Sequence, residues 1–159
     1  MIQRIQTLYL LMIVVLTALM LFLPLAWFSY VTPDNTTVEL QLYAFSLQSA
    51  GGEVINWTIY LGVLLAIACL LPLVTIFCYR NRILQLRFCG VECVLLLGVM
   101  VMEGVYYYLG RRLGAEAAMH DQGFRFAIAL PLLCLLFNLL AGRAIFRDEL
   151  LVRAADRIR

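Results

Sequence analysis

The sequence predicts an all-α membrane protein: an antiparallel four-helix transmembrane bundle with a short outward β-like cap and a cytoplasmic amphipathic C-terminal helix. Three observations lead there. Of 159 residues, 64% are hydrophobic and only 14% are charged, against about 25% charged in an ordinary soluble domain. Four apolar stretches approach or exceed the roughly 20 residues that cross a hydrocarbon layer of about 30 Å. The basic residues, all arginine, crowd one set of connections and are sparse on the other, the asymmetry that orients membrane helices. The same composition excludes a disordered chain. A net charge of +2 with scattered arginines excludes a nucleic-acid surface.

The whole chain, 1–159, reads as one membrane domain. Its first span, 5–28, is broken only by Gln6, Thr7, Thr17 and Pro24. The second, 57–79, carries Pro72, and the third, 88–109, carries Glu92 and Glu103. The fourth, 124–146, has a continuous apolar core from Phe126 to Gly142; Arg125 and Arg143 lengthen it by reaching outward with their heads. Pro24, Pro72 and Pro131 are candidate kinks in spans one, two and four. A cleaved signal peptide is the rival reading of the first span. Its apolar run exceeds the 7–15 residues of a signal core, and the expected small residues do not flank a cut site.

Orientation follows from arginine placement. Arg4, Arg80, Arg82, Arg87, Arg143, Arg147, Arg153, Arg157 and Arg159 fall on one side, and Arg111, Arg112 and Arg125 on the other. The richer side is cytoplasmic, so both termini are expected inside. Segments 29–56 and 110–123 then become outward loops. In the first, Thr32-Pro33-Asp34-Asn35 is turn chemistry, and Val38–Tyr43 alternates as a strand would. A hairpin lid over the helix ends is expected there. In the second, Ala115–Met119 is expected to add a helical turn, with His120 solvated beside Asp121. The tail, 147–159, spaces Phe146, Leu150, Ala154 and Ile158 four apart. That is an amphipathic helix, suited to lie on anionic headgroups, to bind a cytosolic partner, or simply to extend span four.

Glu92 and Glu103 are the chemically sharpest residues. Eleven positions apart, they project within about 20° of one another and about 16 Å apart along a helix. An acid inside a span is costly, faces the bundle interior and marks a functional site by default. Asn138, at a depth near Glu92, completes a candidate intramembrane polar site. Two roles compete for it: stations on a proton or cation path, and polar glue between helices, with Arg87, Arg111, Arg112 or Arg125 reaching the acids. The residues alone favour glue. Cys69, Cys78, Cys89, Cys93 and Cys134 lie within or beside spans and suit packing better than metal binding. No metal, haem or other cofactor is expected, and no nucleophile–base set suggests an enzyme.

Three stretches carry a family resemblance: Met1-Ile-Gln-Arg-Ile-Gln-Thr-Leu-Tyr-Leu, Ile76-Phe-Cys-Tyr-Arg-Asn-Arg-Ile-Leu-Gln, and Arg147-Asp-Glu-Leu-Leu-Val-Arg-Ala-Ala-Asp-Arg-Ile-Arg159. Together they resemble a family of small four-span membrane proteins from Bacteroidota that bears a domain-of-unknown-function label. The resemblance implies a bacterial inner membrane with both ends inside. It assigns no activity and no role to Glu92 or Glu103. It directs attention to a candidate cytoplasmic interaction surface of Arg80, Arg82, Asp148, Glu149, Arg153, Asp156 and Arg157. The expected function is a non-enzymatic accessory or scaffolding component of the bilayer that recruits a membrane or cytosolic protein. The alternative is a small ion or proton transporter or channel subunit using Glu92 and Glu103.

Overall fold

A computed structural model describes residues 3–31, 36–78, 81–113 and 118–156. The chain runs α1 (Gln3–Phe22), β1 (Ala26–Val31), β2 (Thr37–Leu42), β3 (Ser46–Ser49), β4 (Val54–Trp57), α2 (Ile59–Phe77), α3 (Arg82–Leu113), β5 (Ala118–Phe124), a 3-10 turn (Phe126–Ala129) and α4 (Leu130–Asp156). The helices pack in a ring, each against its two sequence neighbours, with α4 closing onto α1.

Every helix turns inward one seam whose members alternate three and four residues apart. On α1 these are Gln6, Leu10, Ile13, Thr17 and Met20; on α2, Leu61, Leu65, Ala68, Pro72 and Thr75. On α3 they are Gln85, Cys89, Glu92, Leu96, Val99 and Glu103; on α4, Cys134, Asn138, Ala141 and Ile145. This is the heptad rhythm that keeps a seam facing its partners along the helix. The remaining faces are apolar and open. Leu8, Val15, Ile67, Leu70, Val94, Val101, Leu132 and Leu136 all stand outside. All four helices are long and apolar enough to cross a membrane, and only 28% to 33% of each candidate span is buried within the molecule. Burying that outer surface takes another apolar medium, since water penalises it by about 25 cal/mol per Å².

At one end of the bundle the five strands form an antiparallel sheet in the order β4-β3-β2-β1-β5. The opposite, link end joins α2 to α3 within a few residues. Four sequence expectations are corrected here. The first span does not reach residue 28: α1 stops at Phe22, two residues before Pro24, whose ring disfavours helix in the residue it follows. Ala26–Val31 then enters the sheet, where β-branched and aromatic side chains fit a pleated surface. Pro24 therefore ends a helix rather than kinking it, and Pro131 sits at the start of α4, where proline is tolerated. The cap is a full sheet rather than a hairpin, because β1 pairs with β2 on one side and with the distant β5 on the other. Finally, the segment expected to add a helical turn is divided: α3 continues to Leu113, and Ala118 and Met119 open β5. Residues 114–117 lie outside the described residues, as do Thr32–Asn35.

The sheet is fastened to the helix ends by named contacts. Thr58 donates its hydroxyl to the carbonyls of Tyr43 and Ala44, each at 3.0 Å. The Tyr30 hydroxyl donates to the Gly110 carbonyl. Phe28, fully buried, lies against Gly110 so closely that a Cβ there would sit 2.7 Å from the ring. Phe28 also packs on Tyr107, which stacks on Phe124 at 4.3 Å between centroids. At the link end, Arg82 pairs with Asp148 at 3.1 Å and also donates to its backbone carbonyl at 3.2 Å. As far as Asp156 the tail is thus a direct extension of α4, and Asp148 holds it against the start of α3.

Candidate functional site

The inward seam of α3 is where the chemistry concentrates. Glu92 and Glu103 are each 2% exposed. Helical geometry puts them about 16 Å apart along the axis and on one face, as their spacing predicts. Neither forms an ion pair with a described residue. Arg87, Arg111, Arg112 and Arg125 are exposed, so none of the arginines expected to reach the acids does so. Both oxygens of Glu92, and Oε1 of Glu103, lack any hydrogen-bond partner.

The neighbouring polar side chains behave otherwise. Gln85 donates from Nε2 to the Thr75 carbonyl across the α2–α3 contact at 2.9 Å. The Thr17 and Thr75 hydroxyls return to carbonyls of their own helices, Ile13 and Leu71, at 2.8 Å. Asn138, 2% exposed, donates from Nδ2 to the Cys89 carbonyl at 2.8 Å, joining α4 to α3. Among the described residues, the inward side chains that bond from one helix to another therefore include Gln85 and Asn138, with the weaker Cys69 thiol contact to the Val14 carbonyl, and not Glu92. A carbonyl accepts and never donates, so this bond also fixes which way the Asn138 amide points. Its oxygen is turned away from Cys89 and has no partner.

Asn138 and Glu92 are thus brought to one place, since Cys89 lies one turn before Glu92. The thiols of Cys89 and Cys134 are electrostatic neighbours of Glu92. Glu103 stands apart, nearer the sheet, two turns from the carbonyl that receives Tyr30. At that end, burial raises the Tyr30 phenol above its ordinary range, with Arg111 opposing and Tyr107 adding to the shift. Gln6 at the link end joins the set of inward polar groups, its Nε2 also unpartnered. Gln6 and Thr17, noted in the sequence only as breaks in the first span, and Gln85, not noted there, sit at the three-and-four spacing from Leu10 and Glu92 that marks inward positions.

The candidate cytoplasmic surface is only partly assembled. Arg82 and Asp148 are spent on each other. Glu149 lies on α4 near them and has an interaction of its own. Arg153 and Asp156 lie on the last turns of α4, their side chains outside the described residues, as are Arg80 and Arg157 altogether. Arg143 and Arg147, both exposed, line a shallow cleft of about 380 Å³ with Ala144, Phe146 and Leu150. Among the described residues, no three His, Cys, Asp or Glu side chains are placed to share a metal ion, and the five cysteines are free thiols.

The family model described as Domain of unknown function (DUF4293) matches residues 2–158. The chain belongs to the DUF4293 family. No curated protein matches it. Both the α3 seam and the sheet fall inside the matched DUF4293 range, which covers nearly the whole chain.

Proposed function

We propose that the protein is a non-enzymatic, multi-pass protein of a bacterial inner membrane, termini cytoplasmic, that takes a proton or small cation into its interior at Glu92 and Glu103. One observation carries the reading. In a bundle whose other inward polar side chains mostly find partners, the two acids present carboxylate oxygens with none. Unpartnered buried polar groups are rare and call for a ligand, a water or a proton. An acid kept in an apolar span without a structural bond is best explained by the charge it exchanges. Four helices of membrane-crossing length support the membrane placement, and the nine-to-three arginine asymmetry supports the orientation. In this conformation both acids are sealed, so exchange with either side requires the helices to part.

The test is flux in proteoliposomes holding the purified parent or the Glu92→Gln, Glu103→Gln double variant. The expected result is a proton or cation leak in the parent that the double variant loses while folding normally. Equal flux in both, or none in the parent under an imposed gradient of either sign, contradicts the reading. For topology, cysteines introduced beside Thr36 and His120 should label from outside, while those beside Asn81 and Ala155 stay protected. The reverse pattern overturns the orientation.

A second reading, an accessory or scaffolding protein, is favoured by the exposed row of Arg143, Phe146, Arg147 and Leu150 on α4. On that reading, removal of Leu150–Arg159 abolishes recovery of a stoichiometric partner in mild detergent. The double glutamine variant keeps it.

A further inference from the structure

We propose that Glu92 binds a single proton and that Asn138 is its positioning residue, the fixed amide oxygen accepting the hydrogen bond of the protonated carboxyl. This deepens the reading above by naming the proton as the substrate of the site. Nδ2 of Asn138 is committed to the Cys89 carbonyl, so the amide cannot turn over without breaking a buried bond. What it has left to offer is an acceptor, one turn along α4 from Cys134, whose thiol is an electrostatic neighbour of Glu92. Glu92 Oε1 and Oε2 are acceptors as well when ionised. Three buried oxygens without a donor therefore belong to adjoining turns of α3 and α4, and a proton shared between a Glu92 oxygen and the amide oxygen satisfies two of them.

The number of oxygens decides which donor. A hard metal cation takes about six oxygen ligands, and three are on offer. The α3 and α4 carbonyls around them are occupied by helix bonds. Soft-metal binding fails as well, since no three ligating side chains converge among the described residues. One proton suffices. It sits on one Glu92 oxygen and is donated to Asn138 Oδ1, leaving the other Glu92 oxygen as a neutral carbonyl, which is the cheapest buried group to leave unpaired. The carboxyl is then uncharged, removing the cost of an unpaired buried anion.

The surroundings agree. The titratable groups facing Glu92 are the thiols of Cys89 on α3 and Cys134 on α4. From α1 and α2 the inward groups at neighbouring depth are Ile13, Thr17, Leu65 and Ala68. Thr17 is bonded to its own helix, and the Cys69 thiol is turned onto the Val14 carbonyl at 3.8 Å. Among the described residues, no cation pairs with Glu92 to keep it ionised. Beyond Glu92 on the same seam, Leu96 and Val99 are fully buried and separate this site from Glu103, so the two acids are distinct stations.

Infrared difference spectroscopy of the whole protein in lipid at neutral pH tests this. A protonated carboxyl has a carbonyl band apart from that of a carboxylate, and its position reports hydrogen bonding. The parent is expected to show such a band, shifting in D₂O, with a component that Glu92→Gln removes and Glu103→Gln leaves. Asn138→Leu should move that component to the frequency of a carboxyl without an acceptor. If Glu92→Gln does not fold, Asn138→Leu and Glu92→Asp read the same component. A Glu92→Gln spectrum identical to the parent's, or a component unmoved by Asn138→Leu, overturns the proposal. The band is independent of transport. A band without flux defeats the functional reading and leaves this one standing, and flux without the band does the reverse.

Discussion

Within α3 the sheet end and the middle treat polarity in opposite ways. At Gly110 the backbone carbonyl receives the Tyr30 hydroxyl, and a ring packs where a side chain would be. Nearby, Thr58 spends one hydroxyl on two carbonyls of the connection between β2 and β3. Less than two helical turns past the bonded Gln85, Glu92 is as deeply buried and has nothing. A fold that needed Glu92 for cohesion would have given it a donor, as it gave one to the Gly110 carbonyl. On the proposed function, the difference separates groups that hold the molecule together from a group kept for what it binds.

The comparison can be broken first at the joint. Gly110→Ala drives a methyl into the fully buried Phe28 and is expected to destabilise by about 1–3 kcal/mol, the usual cost of overpacking a core. Gly90→Ala on the same helix meets nothing within 4 Å and should not. Thermal unfolding in lipid or mild detergent reads both, and equal effects would mean the cap is not seated as described. Tyr30→Phe removes one hydrogen bond and strands a carbonyl, for about 1 kcal/mol. Asp148→Asn breaks the Arg82 pair at the link end. With side chains 25% and 14% exposed, that pair is expected to contribute about 0.5–1 kcal/mol, falling with salt.

The smallest effect is alkaline. Burial holds the Tyr30 proton to higher pH in the folded state than in the unfolded chain. Its contribution is therefore complete below the ordinary tyrosine value of about 10 and lost as pH rises through the raised folded value. Unfolding temperature followed across that window should fall more steeply for the parent than for Tyr30→Phe. Parallel profiles would remove Tyr30 from the account.

The helices and their inward acids were readable from residues because both signals are local. Span length needs only a run of apolar residues, and a Glu within one needs no partner to be noticed. Of the sheet, β2 was readable from the alternation over Val38–Tyr43, and the rest was not, for the opposite reason. Ala26–Val31 is apolar enough to pass as the end of a span, and its second partner, Ala118–Phe124, lies about ninety residues away with Gly123, His120 and Asp121 among its members. Nothing local marks such a strand, since its pairing decides it. The candidate site was half legible. Glu92 and Asn138 stood out singly, but the bond from Asn138 to the Cys89 carbonyl, which turns an amide into a fixed acceptor, exists only once α4 folds back along α3. The arginines near the acids by number proved misleading, because helix faces, not sequence distances, decide what a side chain can reach.

The most direct measurement of the central claim sets Glu92→Gln beside Thr58→Val, unfolding both in the same lipid. If Glu92 is held for its proton and Thr58 for cohesion, glutamine preserves the shape, and its amide can donate to Asn138 Oδ1 as the protonated carboxyl does. The Glu92→Gln midpoint should then match or exceed the parent's, while Thr58→Val, leaving two carbonyls short of a donor, should lose about 1–2 kcal/mol. A Glu92→Gln protein that unfolds well below the parent, beside a Thr58→Val protein that does not, would contradict the account.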